Sequence, residues 1–530
     1  MLFLYLIFTA LAALIYYIYQ FGTKNENIFV EKGLAFRKPT FIFGNSIKLW
    51  MRQISAFDFV KDISKGYQNE KLMGYFDFRD PVVLIFDPDI LKRLAVKEFE
   101  SFPDHRVFFS EDFDPLFGNS IFSLTGQKWK DMRATLSPAF TGSKMRLMCD
   151  LIVEICEQMV DFLKTEVDEK GLQIYETKEL FSRLATDIIG TCAFGIKVDS
   201  LKDKDNNFYV TAKRIFTFTN IRVIITFMLY RICPWLMELL NIPLFHAESR
   251  NFMKNLVVNT MKTREEQNIV RPDMIHLLME ARKGNLTHTV TEKDSAGFAT
   301  VEESEIGLKA SRRTWTEDEI VAQCFGFFLA GFDTVSTVTG FIIYEIMVNQ
   351  DVQDKLFEEI SEMHSKIGGE SIKYESLQHL KYLDMVISET LRKWPAAPVV
   401  DRICTRDFTL KYDNDKEFTF HKGDVFWVLI AHFHRSAKYF PNPDKFDPER
   451  FSDENKASIN PAAYLPFGVG PRNCIGSRFA LMELKSIIYY LILNFHIETT
   501  EKTQIPVKLA NQFFGVQTEK GIHVQFRPRN

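Results

Sequence analysis

Cys474 sits in a glycine-bracketed loop, Phe467-Gly-Val-Gly-Pro-Arg-Asn-Cys-Ile-Gly476, and helix-forming sequence (Ser477 to Leu493) follows at once. Gly468, Gly470 and Gly476 allow tight backbone conformations that side chains forbid. A helix beginning just after Cys474 aims its positive end at the sulfur, and loop N–H groups can point there too. Both favour thiolate over thiol. A stabilised thiolate is a nucleophile or a metal ligand; otherwise a lone cysteine in such a turn is a small buried hydrophobe. No second Cys or His stands nearby at ligand spacing, which argues against zinc. Arg472, two residues back, suits a carboxylate, and Phe467 can cover the sulfur and keep water away.

Four other constellations bear chemistry. Trp129 and Arg133 share one helix face, so an indole N–H and a guanidinium point the same way; a surface Arg beside a half-buried Trp gives the same spacing. Ala330-Gly-Phe-Asp-Thr334 lies inside an apolar helix. Glycine there costs about 1 kcal/mol against alanine, and an acid costs more unless paired, so a local distortion with a purpose is expected. Glu389 and Arg392 are three apart on a helix. The stretch Leu380 to Leu391 is apolar enough to bury them, where they need further partners. His432 and His434, two apart, read better as packed histidines than as metal ligands.

The elements that must hold these residues come from a chain of 530 residues, 46% hydrophobic, which is ample for a large core without an internal linker. Net charge is −4, so charge gives no argument for nucleic acid. The 50 phenylalanines exceed what a core of this size needs and hint at a large apolar cavity. The 7 cysteines are odd in number and not framework-spaced, which fits a reducing compartment.

Leu2 to Tyr19 is apolar and uncharged, close to the length that spans a bilayer, with Tyr16, Tyr17 and Tyr19 at the position of an aromatic belt. A basic n-region is lacking, so an uncleaved anchor fits better than a signal peptide. Lys24, Lys32, Arg37 and Lys38 follow and place the body on the cytosolic side. The expected division is an anchor at 1–22, a linker at 23–45 and one catalytic domain at 46–530. Met73–Phe78 and Pro81–Phe86 read as short strands. The stretch 102–122 is a loop crowded with Phe108, Phe109, Phe113, Phe117 and Phe122. Lys128, Lys130, Lys144 and Arg146 form either a solvated face or a docking patch for an acidic partner. Ile215 to Phe245 is strongly apolar but broken at Arg222, Arg231 and Pro234. Residues 283–313 form a polar insert, expected to be exposed or partly disordered, with a glycosylation sequon at Asn285. Thr316-Glu-Asp-Glu319 is a capping box opening a helix from Glu317 to about Val348. Charged and amphipathic helices are expected at Asp351–Met363 and Leu377–Trp394.

The pattern F-x-x-G-x-R-x-C-x-G at Phe467, Gly470, Arg472, Cys474 and Gly476 resembles the haem-binding signature of the cytochrome P-450 family. By that resemblance Cys474 is the axial thiolate of haem b, a ligand whose electron push favours O–O cleavage. The resemblance extends to W-x-x-x-R, which makes Trp129 and Arg133 propionate ligands, with Arg402 and Arg472 as further candidates. It extends to A-G-x-D-T, in which Ala330 borders haem and dioxygen while Asp333 and Thr334 relay protons. Val335 departs from the many members with a second hydroxyl there; Ser336 is the possible substitute. It also covers E-x-x-R and P-E-R-F, which make Glu389, Arg392 and Arg450 a structural lock. The segment Pro395–Val400 and the turn Gln512-Phe-Phe-Gly515 are implied to border the substrate, and 215–245 to roof its cavity at the membrane surface. The text at Phe102–Arg106, Leu136–Thr141 and Asp273–Leu278 is most similar to insect microsomal detoxification members.

The implied fold is mainly α with a small β region, preceded by one N-terminal transmembrane helix. The implied activity is monooxygenation of lipophilic molecules, with electrons from NADPH through a separate cytochrome P-450 reductase and with cytochrome b5 as a second candidate donor. No Rossmann or flavin fingerprint is present in this chain. The implied site is the endoplasmic reticulum membrane. A haem-thiolate isomerase or dehydratase, and a haem carrier or sensor, remain as rivals.

Overall fold

The computed structural model describes residues 1–530 apart from 68, 108, 217–220, 241–244, 272, 284–296, 302, 308–312, 414–415, 513–514 and 530. Helix α1 (Leu2–Thr23) buries none of its residues, and the apolar stretch Leu2–Glu31 is long enough to cross a membrane. The body begins directly behind it. Phe29 is buried beside Phe76, ring centroids 5.0 Å apart, and a Cβ on Gly74 would stand 2.5 Å from the Phe29 ring. Arg79 lies over Phe21 at 3.3 Å and donates to its carbonyl at 3.1 Å, tying the end of α1 to the first hairpin.

The helical body is built from α2 (Gly126–Leu136), α3 (Gly142–Lys170), α4 (Thr177–Ile189), α5 (Ala247–Gln267), α6 (Met274–Arg282), α7 (Glu317–Val348), α8 (Gln350–Lys366), α9 (Lys381–Lys393) and α10 (Ser477–Asn494). Helix α7 runs through the middle, against α4, α5, α9 and α10. It is apolar on nearly every side because it is buried on nearly every side. Its start is the expected capping box: the Glu319 N–H donates to Thr316 Oγ1 at 3.2 Å, and the Thr316 N–H donates to Glu319 Oε2 at 3.0 Å. The stretch expected to be one helix from Leu377 to Trp394 divides into Tyr374–Gln378 and α9. Glu359 of α8 explains the break. Its carboxylate accepts the N–H groups of Tyr382 and Leu383 at 2.7 and 2.9 Å, satisfying donors that a new helix start leaves open.

The β content is small. Strands β1 (Leu72–Asp77) and β2 (Asp80–Ile85) pair antiparallel. Strands β3 (Ile174–Glu176), β4 (Val400–Ile403), β5 (Phe408–Tyr412), β6 (Lys416–Phe420), β7 (Val425–Val428), β8 (Phe495–Glu498) and β9 (His523–Pro528) complete three sheets, ordered β1-β2-β7-β4, β3-β9-β8 and β5-β6. Pairing of β4 with β7 places Arg402 opposite Phe426. That register carries Arg402 to the edge of the region where Arg472 and the Cys474 loop lie.

Candidate active site

The Cys474 loop is pinned at both ends. The Cys474 N–H donates to the Phe467 carbonyl at 2.9 Å. Gly470, with φ +72, runs so close to the Ala95 carbonyl that a Cβ would stand 2.0 Å from its oxygen; only glycine fits there. Gly476 is the N-cap of α10. Of the seven cysteines, Cys474 alone has an exposed side chain, although it lies deep in the protein. Burial of the sulfur raises its pKa, and the Gly476 N–H and the Arg133 charge act in the opposite direction. One amide, that of Gly476 at the helix start, therefore faces the sulfur, but burial outweighs it and the thiol is favoured in the protein alone, against the expectation of a stabilised thiolate.

Trp129 is 1% exposed, and its indole N–H has no protein partner among the described residues. Arg472 stacks over its ring at 4.0 Å. Arg472 donates to the carbonyls of Pro103, Ile121 and Leu124 and to Asp104 Oδ1, at 2.7, 3.3, 2.6 and 2.9 Å. Arg402 donates to the Asp401 and Val469 carbonyls at 2.6 and 3.0 Å, while its buried Nε has no partner. Burial pushes the pKa of Arg402 down to about 10 and that of Arg472 to about 9. At both guanidinium groups the cost of burial outweighs the nearby Asp401 and Asp104 carboxylates. An unpartnered Arg Nε and an unpartnered Trp N–H are donors that a bound carboxylate would satisfy.

Arg133 is differently placed from the expectation of a free donor. It donates through Nε and Nη2 to the Glu303 carboxylate at 3.0 and 2.8 Å. It also donates to the Asn473 carbonyl and to Asn473 Oδ1 at 2.8 and 2.9 Å. Glu303 belongs to the polar insert, which is not uniformly exposed. Phe298 packs against Phe451 at 5.1 Å, and Ala299 is 3% exposed. Ala299 is buried and Phe298 half-buried because the body offers them a place to pack.

Helix α7 stays continuous through Ala330–Thr334, so the expected distortion is not a break. Each unfavourable residue has a packing answer. A Cβ on Gly331 would stand 2.4 Å from Ile189 Cδ1, so the glycine admits α4. Asp333 is paired with Lys178 of α4: Nζ donates to Asp333 Oδ1 at 2.7 Å and to the Asp333 carbonyl at 2.9 Å. The same ammonium reaches Ser336 Oγ and Thr337 Oγ1 at 2.8 and 2.7 Å. A cavity of about 340 Å³, lined by Glu176, Lys178, Ser336, Thr337 and His523, opens beside this cluster. Thr334 and Ala330, four residues apart, are the exposed positions of this mid-helix stretch, and Thr334 Oγ1 donates to the Ala330 carbonyl at 2.6 Å. Val335 is buried in the core, and Ser336 turns toward Lys178 and away from Thr334.

Glu389, Arg392 and Arg450 meet in the interior. Arg392 donates through Nε and Nη2 to the two Glu389 oxygens at 2.7 and 2.9 Å. Arg450 Nε stands 3.4 Å from Glu389 Oε1. The further partners that burial requires are there: the His434 and Pro443 carbonyls accept from Arg392 at 2.9 and 2.8 Å, and the Asp447 N–H donates to Glu389 at 3.0 Å. His434 Nε2 accepts the Leu465 N–H at 2.7 Å, and burial pushes its pKa down to about 3; the ring is neutral and structural. No group of three or more metal-binding side chains exists among the described residues.

Three residues of this region were not singled out from sequence. Lys178 and Glu303 lie 155 and 170 positions from their partners, and nothing in their local sequence marks them. His105 Nδ1 donates to Asp401 Oδ1 (2.9 Å), neighbours Arg402 Nη1 (3.3 Å) and stacks on Phe122 (5.0 Å). Burial and the Arg402 charge push its pKa down to about 4. The basic stretch read as a docking patch is mostly paired: Lys128 with Glu111 and Glu319, Lys130 with Glu100, and Arg146 with Glu375. Phe108, Phe513, Phe514 and Asn285 lie outside the described residues.

The cytochrome P450 family model matches residues 35–526. The chain is 42% identical over 528 residues to "Probable cytochrome P450 9f2" of Drosophila melanogaster, covering 98% of both chains. It is 40% identical to "Cytochrome P450 9e2" of Blattella germanica, over 98% of this chain and 97% of that one. "Cytochrome P450 9b2" of Drosophila melanogaster is 39% identical, over 98% of each. With a thiol on a glycine-built loop, unsatisfied donors around it and matches along the whole chain, this protein belongs to the cytochrome P450 family of haem-thiolate monooxygenases, with haem b as its cofactor.

Proposed function

We propose that this protein is a membrane-anchored monooxygenase of lipophilic small molecules such as plant toxins or insecticides, supplied with electrons from NADPH by a separate reductase, with cytochrome b5 as an auxiliary donor. The anchor is residues 1–22, followed by a connection at 23–45 and the catalytic domain at 46–530. The reading of α1 as an anchor rests on its apolar surface, exposed from Leu2 to Gln20. A second membrane-facing patch is supported by Trp235, Leu239 and Leu240, which are 64%, 73% and 55% exposed. The positive flank after α1 favours a cytosolic body on the endoplasmic reticulum.

The observation that carries the chemistry is the Cys474 loop, with an amide aimed at the sulfur and donors left open around it. Cys474 is the iron ligand. Phe467, Gly476, Trp129, Arg133, Arg402, Arg472 and Ala330 form the cofactor cradle, and Arg402 Nε and the Trp129 N–H are its open carboxylate donors. Haem b, when bound through a thiolate, supplies reductive activation of dioxygen. The protein's own part is proton supply and exclusion of water. Thr334 presents a hydroxyl on the exposed face of α7. Asp333, beside it in sequence, is held by Lys178, which itself lines the 340 Å³ cavity, and this ammonium is its link toward solvent. Glu389, Arg392 and Arg450 act as the structural lock under this site.

Phe109, Phe113, Phe227 and Tyr230 form a ring cluster with centroids 4.9 to 5.5 Å apart. With Phe325, Phe328 and Ala396–Val400 it suits an apolar substrate region with few polar anchors. Such a pocket discriminates by only about 1–3 kcal/mol per methylene, so several unrelated lipophilic compounds should be oxidised. The test is turnover of a mixed lipophilic panel with reductase and NADPH. Several products support the reading; a single steroid-like substrate sinks the detoxification role. Product formed without reductase favours isomerase chemistry.

A further inference from the structure

Two short stretches of the polar insert, residues 297–301 and 303–307, form a strap docked on the body, and the second reaches Arg133 beside the sulfur loop. The first is fastened to the body. The Phe298 N–H donates to Asp384 Oδ2 at 2.9 Å, and the Phe298 ring packs against both Phe451 and Tyr464 at 5.1 and 5.4 Å. The second carries Glu303, whose carboxylate takes two donors of Arg133. The fit around it is close. A Cβ on Gly307 would stand 2.4 Å from Glu303 Oε1 and 2.5 Å from Ser137 Oγ. Arg133 and Glu303 have side chains only 4% and 23% exposed, so their charges act through little water.

A guanidinium has five N–H donors. Arg133 spends two on Glu303 and two on Asn473, the residue that precedes Cys474. One Nη1 donor is left for any other acceptor. Arg133 can hold the Asn473 backbone in one place only while its own plane is fixed, and the bidentate carboxylate fixes it. The same carboxylate offsets the guanidinium charge beside the sulfur.

We infer that Glu303 is a positioning residue for Cys474: it clamps Arg133 against the Asn473 backbone and sets the net charge felt by the sulfur. This rests on Cys474 being the iron ligand. Replacing the carboxylate by an amide leaves Arg133 uncompensated, so adding an electron nearby becomes easier and the loop is freer to shift.

The test uses full-length protein in membranes with Glu303→Gln, Glu303→Asp and Phe298→Ala. Two readouts are taken: the midpoint reduction potential, and the alkylation rate of Cys474 in cofactor-stripped protein. Glu303→Gln is expected to raise the potential and to speed alkylation several-fold. Glu303→Asp should restore most of both. Phe298→Ala, which loosens the strap and keeps the charge, should lower thermal stability with a smaller shift in potential. Parent values for Glu303→Gln overturn the proposal, and so does a Phe298→Ala shift as large as that of Glu303→Gln. A parent protein with no thiolate-type carbon monoxide band fails the Cys474 assignment itself, which is a separate result.

Discussion

Asp333 and Thr334 differ in how the helix holds them, and that difference predicts different losses. Thr334 bonds only back to its own helix, whereas Asp333 is fixed across helices by Lys178. Thr334→Ala should leave haem binding and reduction nearly normal, lower product per NADPH and raise hydrogen peroxide. Asp333→Asn removes the carboxylate that Lys178 holds and should slow oxygen activation more, on the order of 10²-fold. Lys178→Met should fall between the two. The measurement is coupling efficiency and rate with reductase in excess; wild-type values for all three variants would remove the relay from these residues. The sulfur loop was legible in sequence because its residues are local and each obeys a sharp constraint, as Gly470 does against Ala95. Lys178, Glu303 and His105 were not, because long-range packing alone brings them to the site. Gly331 carried a signal that was read as a distortion; its cause is the close approach of Ile189.

Elements repeat this division. The capping box at Thr316 and the extent of α7 were readable, since capping and apolar runs are local. The break between Gln378 and Lys381 was not, since Glu359 of another helix caps the second segment. The polar insert was half readable: its composition says solvent, but Ala299 is buried and Phe298 half-buried against the body. The interior pair Glu389–Arg392 is 0% exposed on both side chains, so removing one partner strands the other. Glu389→Ala should destabilise the fold by about 3–5 kcal/mol, seen as a lower denaturation midpoint, and a loss below about 1 kcal/mol would contradict the lock. His432 adds a pH-dependent prediction. Burial pushes its pKa down to about 4 from the usual 6.5. Between those values the unfolded chain binds the proton and the folded one does not, so stability from this site falls as pH drops from 6.5 toward 4, by up to about 1.4 kcal/mol per pH unit. His432→Gln should flatten the urea midpoint over that range relative to the parent; an unchanged slope would contradict it.

For the whole molecule, the match along the chain and the mainly helical fold agree on the cytochrome P450 family; the proposed membrane attachment rests on exposed apolar surface. Deleting residues 2–22 should release much of the protein from microsomes, with the residue still attached held by the patch around Trp235 and Leu239. Full retention would shift the anchor to that patch. Glycan on Asn285 would reverse the proposed topology. Everything proposed for the site depends on Cys474 ligating the haem iron. The most direct measurement is the ferrous carbon monoxide spectrum of the parent protein and of Cys474→His, with each of Cys149, Cys156, Cys192, Cys233, Cys324 and Cys404 replaced singly for comparison. The parent and the six single variants should show the red-shifted thiolate band, and Cys474→His should lose it; survival of that band in Cys474→His would mean that another residue is the ligand.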